Sequence, residues 1–127
     1  MISERITILI NDQFHKELYS ANLYLAMSSY FLDQDLDGFA HFFRLQADEE
    51  MLHAMKQFDY LHEVDGKIKM GSIDAPENDF QDILPAFEEA LAHERIVTQS
   101  INNIMKASLE EGDFATQAFF QWFVQEQ

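Results

Sequence analysis

Five residues of this chain have side chains that could hold a metal ion, and each sits inside a stripe that is otherwise apolar: Glu17, Glu50, His53, Glu94 and Gln127. The first stripe reads Ile6, Ile10, Gln13, Glu17, Tyr24, Met27, Phe31, and Ile10, Glu17, Tyr24 and Phe31 recur every seven residues. Glu17 therefore shares a helix face with residues that belong in a core. An unpaired carboxylate there costs several kcal/mol or takes up a proton, and a bound cation removes the penalty. Glu50 and His53 form Glu-x-x-His, which on a helix puts both groups on one face a turn apart. Such a pair alone is common on acidic helices; its meaning comes from the conjunction with Glu17, Glu94 and Gln127. Oxygen donors with one imidazole and no sulfur suit iron or manganese and also accommodate zinc. Two cations bridged by Glu50 would leave Glu17, Glu50 and His53 on one ion and Glu50, Glu94 and the weaker amide of Gln127 on the other.

Four helices are needed to position these groups. The second stripe is Phe43, Gln46, Glu50, His53, Gln57, Tyr60, Val64, and the third is Phe80, Leu84, Phe87, Leu91, Glu94, Thr98, Ile101, Met105, where Glu94 is the lone charge. Phe120, Phe123 and Gln127 continue a face in the fourth. The spacing predicts helices over Arg5 to Leu32, Asp37 to Val64, Gln81 to Leu109 and Phe114 onward, with Glu17, the Glu50/His53 pair and Glu94 each within a turn of a helix midpoint. The first and third connections are short and imply antiparallel neighbours. Asp65 to Asp79 is 15 residues without helical period and contains Gly66, Gly71 and Pro76. Fully extended it reaches about 50 Å, against about 42 Å for a helix of that size, so it can travel the bundle's length and make helices two and three parallel. The expected fold is all-α, a four-helix bundle with one long crossover between helices 2 and 3.

At 127 residues and 47% hydrophobic content, residues 1–127 read as a single domain. The absence of Cys excludes a disulfide scaffold and a thiolate metal site and fits a reducing compartment. The longest early apolar run, around Ile8 to Ile10, is far short of the roughly 20 residues needed to cross a bilayer, so no membrane partner is expected and cytoplasmic localisation is the default. A net charge of −15 argues against nucleic acid and favours cations.

The chain resembles the ferritins, specifically the non-haem bacterial branch, along its whole length. The resemblance rests on Glu17 with Tyr24, on Asp48-Glu49-Glu50-Met51-Leu52-His53, on Ala92-His93-Glu94-Arg95 and on Gln121-Trp122-Phe123-Val124-Gln125-Glu126-Gln127. It implies a ferroxidase that oxidises Fe(II) with oxygen or hydrogen peroxide at a di-iron centre and stores Fe(III) as mineral inside a hollow 24-subunit homo-oligomeric shell. It further implies that Glu17, Glu50, His53, Glu94 and Gln127 bind the iron pair, that Tyr24 hydrogen-bonds a ligand and supplies an electron, and that Glu49 and Glu126 help hold a third iron. Haem is not expected: bacterioferritins carry Glu with His three residues later on the fourth helix, where Gln127 stands here.

The sequence stops at Gln127, 14 residues into the predicted fourth helix, where ferritins continue through the rest of that helix and usually a short fifth one. The expectation is a truncated chain in which the far ends of helices one to three present Phe and Leu to water and in which both shell assembly and ligation by Gln127 suffer. Two other functions are compatible with these residues: a redox enzyme of rubrerythrin or bacterioferritin type with a permanent iron pair, and a metal-free interaction module, which predicts raised carboxyl pKa values and no metal dependence. Gln127, a weak anchor, favours iron that passes through to a store. Of the other histidines, His15, His41, His62 and His93 read as surface or packing residues.

Overall fold

The computed structural model describes residues 1–127 and contains four helices: α1 (Glu4–Asp33), α2 (Asp37–Glu63), α3 (Ile83–Glu111) and α4 (Phe114–Glu126). The expected starts of α2 and α4 coincide with these, and the other boundaries differ by one or two residues. Each start has a chemical cause except that of α2, where no side chain caps the first turn. Ser3 accepts from the Ile6 amide at 3.1 Å, Asp82 from Ile83 at 2.7 Å, and Asp113 from Thr116 at 3.0 Å, so each satisfies a donor that the first helical turn leaves free. Gly112 ends α3 at φ 68°, a left-handed conformation that costs glycine nothing, and the chain reverses directly into α4.

Arg5 near the start of α1 pairs with Glu110 at the end of α3 at 2.9 Å, which makes these helices antiparallel. Because α1 and α2 form a hairpin, closed by Ser28 donating to the Ala40 carbonyl at 2.7 Å, α2 and α3 run parallel, as the crossover argument requires. The crossover climbs along α1. Asn11 clasps its beginning, donating to the Lys67 carbonyl at 2.8 Å and accepting from the Lys69 amide at 2.7 Å, and Gly71 N–H donates to Nε2 of His15 at 2.8 Å. His15, expected to be a surface or packing residue, is thus a fastening point of the crossover. None of the helices is long and apolar enough to cross a membrane.

Two apolar clusters fill the bundle. One gathers Ile6, Ile10, Tyr60, Ile101, Ile104 and Phe120 near the α3–α4 turn, and the other gathers Leu23, Met27, Phe31, Phe43, Ala86 and Ala90 near the α1–α2 turn. On α1 they are separated by Glu17 and Ser20, on α2 by Glu50 and His53, and on α3 by Glu94. The α3 stripe departs from expectation: Leu84 and Leu91 are 67% and 53% exposed, while Ala86, Ala90, Val97, Ile101 and Ile104 form the buried face. At the start of α3 the small alanines Ala86 and Ala90 carry the packing. Phe39 and Phe42 of α2 are likewise part-exposed, and with Phe87 they line an apolar groove of about 670 Å³.

Candidate metal centre

The layer between the two clusters contains Glu17, Glu50 and His53, all buried, with one potential ligand atom from each lying within 4.8 Å of the others. His53 Nδ1 faces Glu50 Oε2 at 3.3 Å and Glu17 Oε2 at 3.8 Å, and none of these three atoms forms a hydrogen bond with the protein. Three buried donors converging without partners are what a cation site requires, since each would otherwise pay the cost of desolvation unrelieved.

The electrostatics of the metal-free layer follow from this crowding. Burial pushes Glu50 up, the neighbouring charge of Glu17 adds to it, and the carboxyl reaches about 8. Burial would lower His53, but Glu17 and Glu50 overcome it and raise the imidazole to about 10. Burial also opposes the charge on Glu17; its contacts with His53, Glu50 and Gln13 outweigh that effect and hold it below the usual carboxylate range. At neutral pH the layer therefore consists of a Glu17 carboxylate, a His53 imidazolium and a protonated Glu50.

Of the other expected site residues, Glu94 is half-buried and accepts a hydrogen bond from the Tyr24 hydroxyl, so these two are brought together as expected. Burial first, then Glu94, pushes the Tyr24 phenol far above its ordinary value, so it stays a donor. Glu49 is exposed, with a carboxylate oxygen 3.9 Å from Nε2 of His53, on the far side of the ring from the Glu17/Glu50 cluster. Gln127 is exposed at the end of α4, where Thr98 donates to its Oε1 at 2.8 Å, and Glu126 beside it is exposed as well. The fourth helix thus brings no ligand atom into the buried cluster.

Several neighbours were not assigned a role from sequence. Trp122 and Phe123 meet the His53 ring edge-on at 5.4 and 5.7 Å, and Lys56 Nζ lies 4.0 Å from the Trp122 ring centroid. His93 shares a hydrogen bond of 2.6 Å with Ser20, whose hydroxyl also lies 2.9 Å from the Lys16 carbonyl. Gln13 and Gln57, completely buried, both donate to Oε1 of Glu17. Their places on polar-centred stripes were visible in sequence; their shared acceptor was not.

Comparison with known proteins fits this arrangement. The ferritin-like domain family matches residues 8–127. The bacterial non-heme ferritin of Campylobacter jejuni is 40% identical over all 127 residues, which cover 76% of that protein, and that of Staphylococcus epidermidis is 36% identical over the same span. Among solved structures, the open pore ferritin of the archaeon Archaeoglobus fulgidus superimposes with a TM-score of 0.97 at 41% identity over 99% of this chain and 78% of its own. The Chlorobium tepidum ferritin gives 0.96 at 40% identity, covering 99% of this chain and 77% of its own. The chain spans about three quarters of these relatives, and a bundle with a crossover, a carboxylate–imidazole layer at mid-height and identity at this level together place it in the ferritin family.

Proposed function

We propose that this chain, acting over residues 1–127 as one ferritin-like unit, stores and detoxifies iron by oxidising Fe(II) to Fe(III) within the bundle. The observation that carries the reading is the convergence of Glu17 Oε2, Glu50 Oε2 and His53 Nδ1, buried and without protein partners. These three hold the first Fe(II). A second binds between Glu50 and Glu94, with Gln127 as a weak fourth-helix donor once it leaves Thr98. Once the ions have displaced the protons of Glu50 and His53, the carboxylates favour the ferric product. Each Fe(II) gives one electron; oxygen that takes two electrons and two protons leaves as hydrogen peroxide, and peroxide that takes two more electrons and two protons leaves as two waters. Tyr24, hydrogen-bonded to Glu94 beside the second ion, lends an electron as its phenol proton passes to Glu94. The exposed acids Glu49 and Glu126 are the candidates for a third ion on the outward route.

Assembly into a hollow 24-subunit shell, which family membership supports, gives the ferric product a place to mineralise. A cysteine-free sequence fits the reducing cytoplasm we assign as its compartment. A permanent metal pair of rubrerythrin type would need a firm fourth-helix ligand, and the neutral amide of Gln127 is a weak one. The test is anaerobic Fe(II) loading followed by oxygen, read as near-ultraviolet ferric absorbance, with particle mass determined on the same sample. Glu17→Ala or His53→Ala should abolish fast oxidation while helix content stays nearly unchanged, and an oxidation rate equal to that of the unaltered chain would remove the assignment.

A further inference from the structure

Two glutamines reach one carboxylate oxygen. Gln13, one turn before Glu17 on α1, donates its Nε2 to Glu17 Oε1 at 2.9 Å, and Gln57, one turn beyond His53 on α2, donates to the same atom at 3.3 Å. Both side chains are 0% exposed, and the carbonyl oxygen of each amide meets no protein donor. Leucine or methionine would fill these places without that desolvation cost, so the amides need a reason to be there. Their orientation is set by chemistry: a reversed amide would turn its oxygen toward a carboxylate oxygen, acceptor against acceptor. With Oε1 engaged twice from opposite helices, rotation of the Glu17 carboxylate is blocked, and only Oε2 is left to face His53 Nδ1.

We propose that Gln13 and Gln57 are positioning residues that fix Glu17 as a one-oxygen metal ligand. A carboxylate free to turn would bind through both oxygens and fill a coordination position at the first ion. Held by one, it leaves that position open to an incoming oxidant, as catalytic metal sites require. The clamp touches neither ion; it acts through Glu17, in the way outer partners orient metal ligands. The inference rests on Glu17 being a ligand, as the proposed function has it.

The probe is Co(II), whose visible bands report coordination number without turnover. It would be titrated anaerobically into the unaltered chain, Gln13→Met, Gln57→Met and the double variant, and again with Glu17→Ala added to each. The expected result is about tenfold or greater weakening of the first Co(II) in each glutamine variant, with weaker visible bands as the coordination number rises. With Glu17→Ala present, the glutamine substitutions should change neither affinity nor spectrum. Unchanged affinity and spectrum in the single variants would overturn the inference, and so would equal losses with Glu17 absent, which mark a packing effect. Loss of the fold in both single variants would also overturn it, since orientation and not folding is the assigned role. Co(II) binding to the unaltered chain that is indifferent to Glu17→Ala would instead overturn the proposed function.

Discussion

Glu50 and His53, one turn apart on α2, bring a carboxylate oxygen and a ring nitrogen to 3.3 Å with neither hydrogen-bonded to the protein. Both groups hold their protons at neutrality, Glu50 up to about 8 and His53 up to about 10. A metal ligand must be deprotonated, so the first ion has to displace them. Calorimetry of Zn(II) binding at pH 7 in buffers of different ionisation enthalpy should find between one and two protons released with the first ion, and affinity should rise with pH up to about 8 and less steeply from there to 10. No proton release would contradict the protonation state assigned to the layer.

The same groups set the stability of the metal-free chain. Both folded values lie above the ordinary 4.5 and 6.5, so between those values and the raised ones the folded chain holds protons that the unfolded chain has lost. The contribution is complete below about pH 4.5 and is lost as pH rises through about 8 for Glu50 and about 10 for His53. Urea midpoints of the metal-free chain should therefore fall from pH 5 to pH 9, while saturating Zn(II) should make them rise over the same range. A metal-free midpoint that climbs with pH would refute the assignment.

Tyr24 and Glu94 are the second pairing to probe. Tyr24→Phe removes the hydroxyl and leaves the ring, which is buried against Phe43. Glu94 loses a charge-assisted hydrogen bond, an interaction of about 1.5–3 kcal/mol. In stopped-flow oxidation the second Fe(II) should bind about tenfold more weakly and the ferric signal should rise more slowly, while the unfolding midpoint falls by several degrees as the bond is lost. An unaltered time course would leave Tyr24 as a packing residue.

Trp122 is the lone tryptophan, and its edge-on contact with the His53 ring makes it an internal reporter. Co(II) bound through His53 should quench its fluorescence, with saturation at the stoichiometry of the first ion. His53→Ala should abolish the saturable part of the quench. Quenching that persists unchanged in that variant would place the metal elsewhere.

What sequence discloses here depends on whether a signal is carried along one helix or across several. The α1 and α2 faces were legible because Ile6, Ile10, Glu17, Met27 and Phe31, like Phe43, Glu50, His53 and Tyr60, repeat at helical spacing on helices that pack along their length. On α3 the large residues misled: Leu84 and Leu91 keep the period, yet burial falls to Ala86 and Ala90. The convergence of Glu17, Glu50 and His53 could be inferred from matched heights alone. The clamp of Gln13 and Gln57 could not, since one shared oxygen atom is a property of two helices at once. His15 escaped for the same reason: its partner, Gly71, lies in a segment without any period.

Glu50→Leu puts a number on what the site costs the fold. The leucine fills a comparable volume, removes a buried carboxyl whose Oε2 has no protein hydrogen bond, and joins the apolar residues above and below the layer. Replacing a poorly compensated buried ionisable group by a hydrophobic one is often neutral or stabilising, and here about 1–3 kcal/mol of gain is expected in the metal-free state. The gain should be larger at pH 9 than at pH 5, because the unaltered chain loses its Glu50 contribution over that interval and the variant has none to lose. The same substitution removes the carboxylate proposed to bridge the ions, so Zn(II) should no longer raise the unfolding midpoint. Equilibrium denaturation with and without Zn(II) reads both effects in one experiment. A variant less stable than the unaltered metal-free chain would mean that Glu50 is held by interactions beyond His53 and Glu17, and that the polar layer belongs to the fold as well as to the metal.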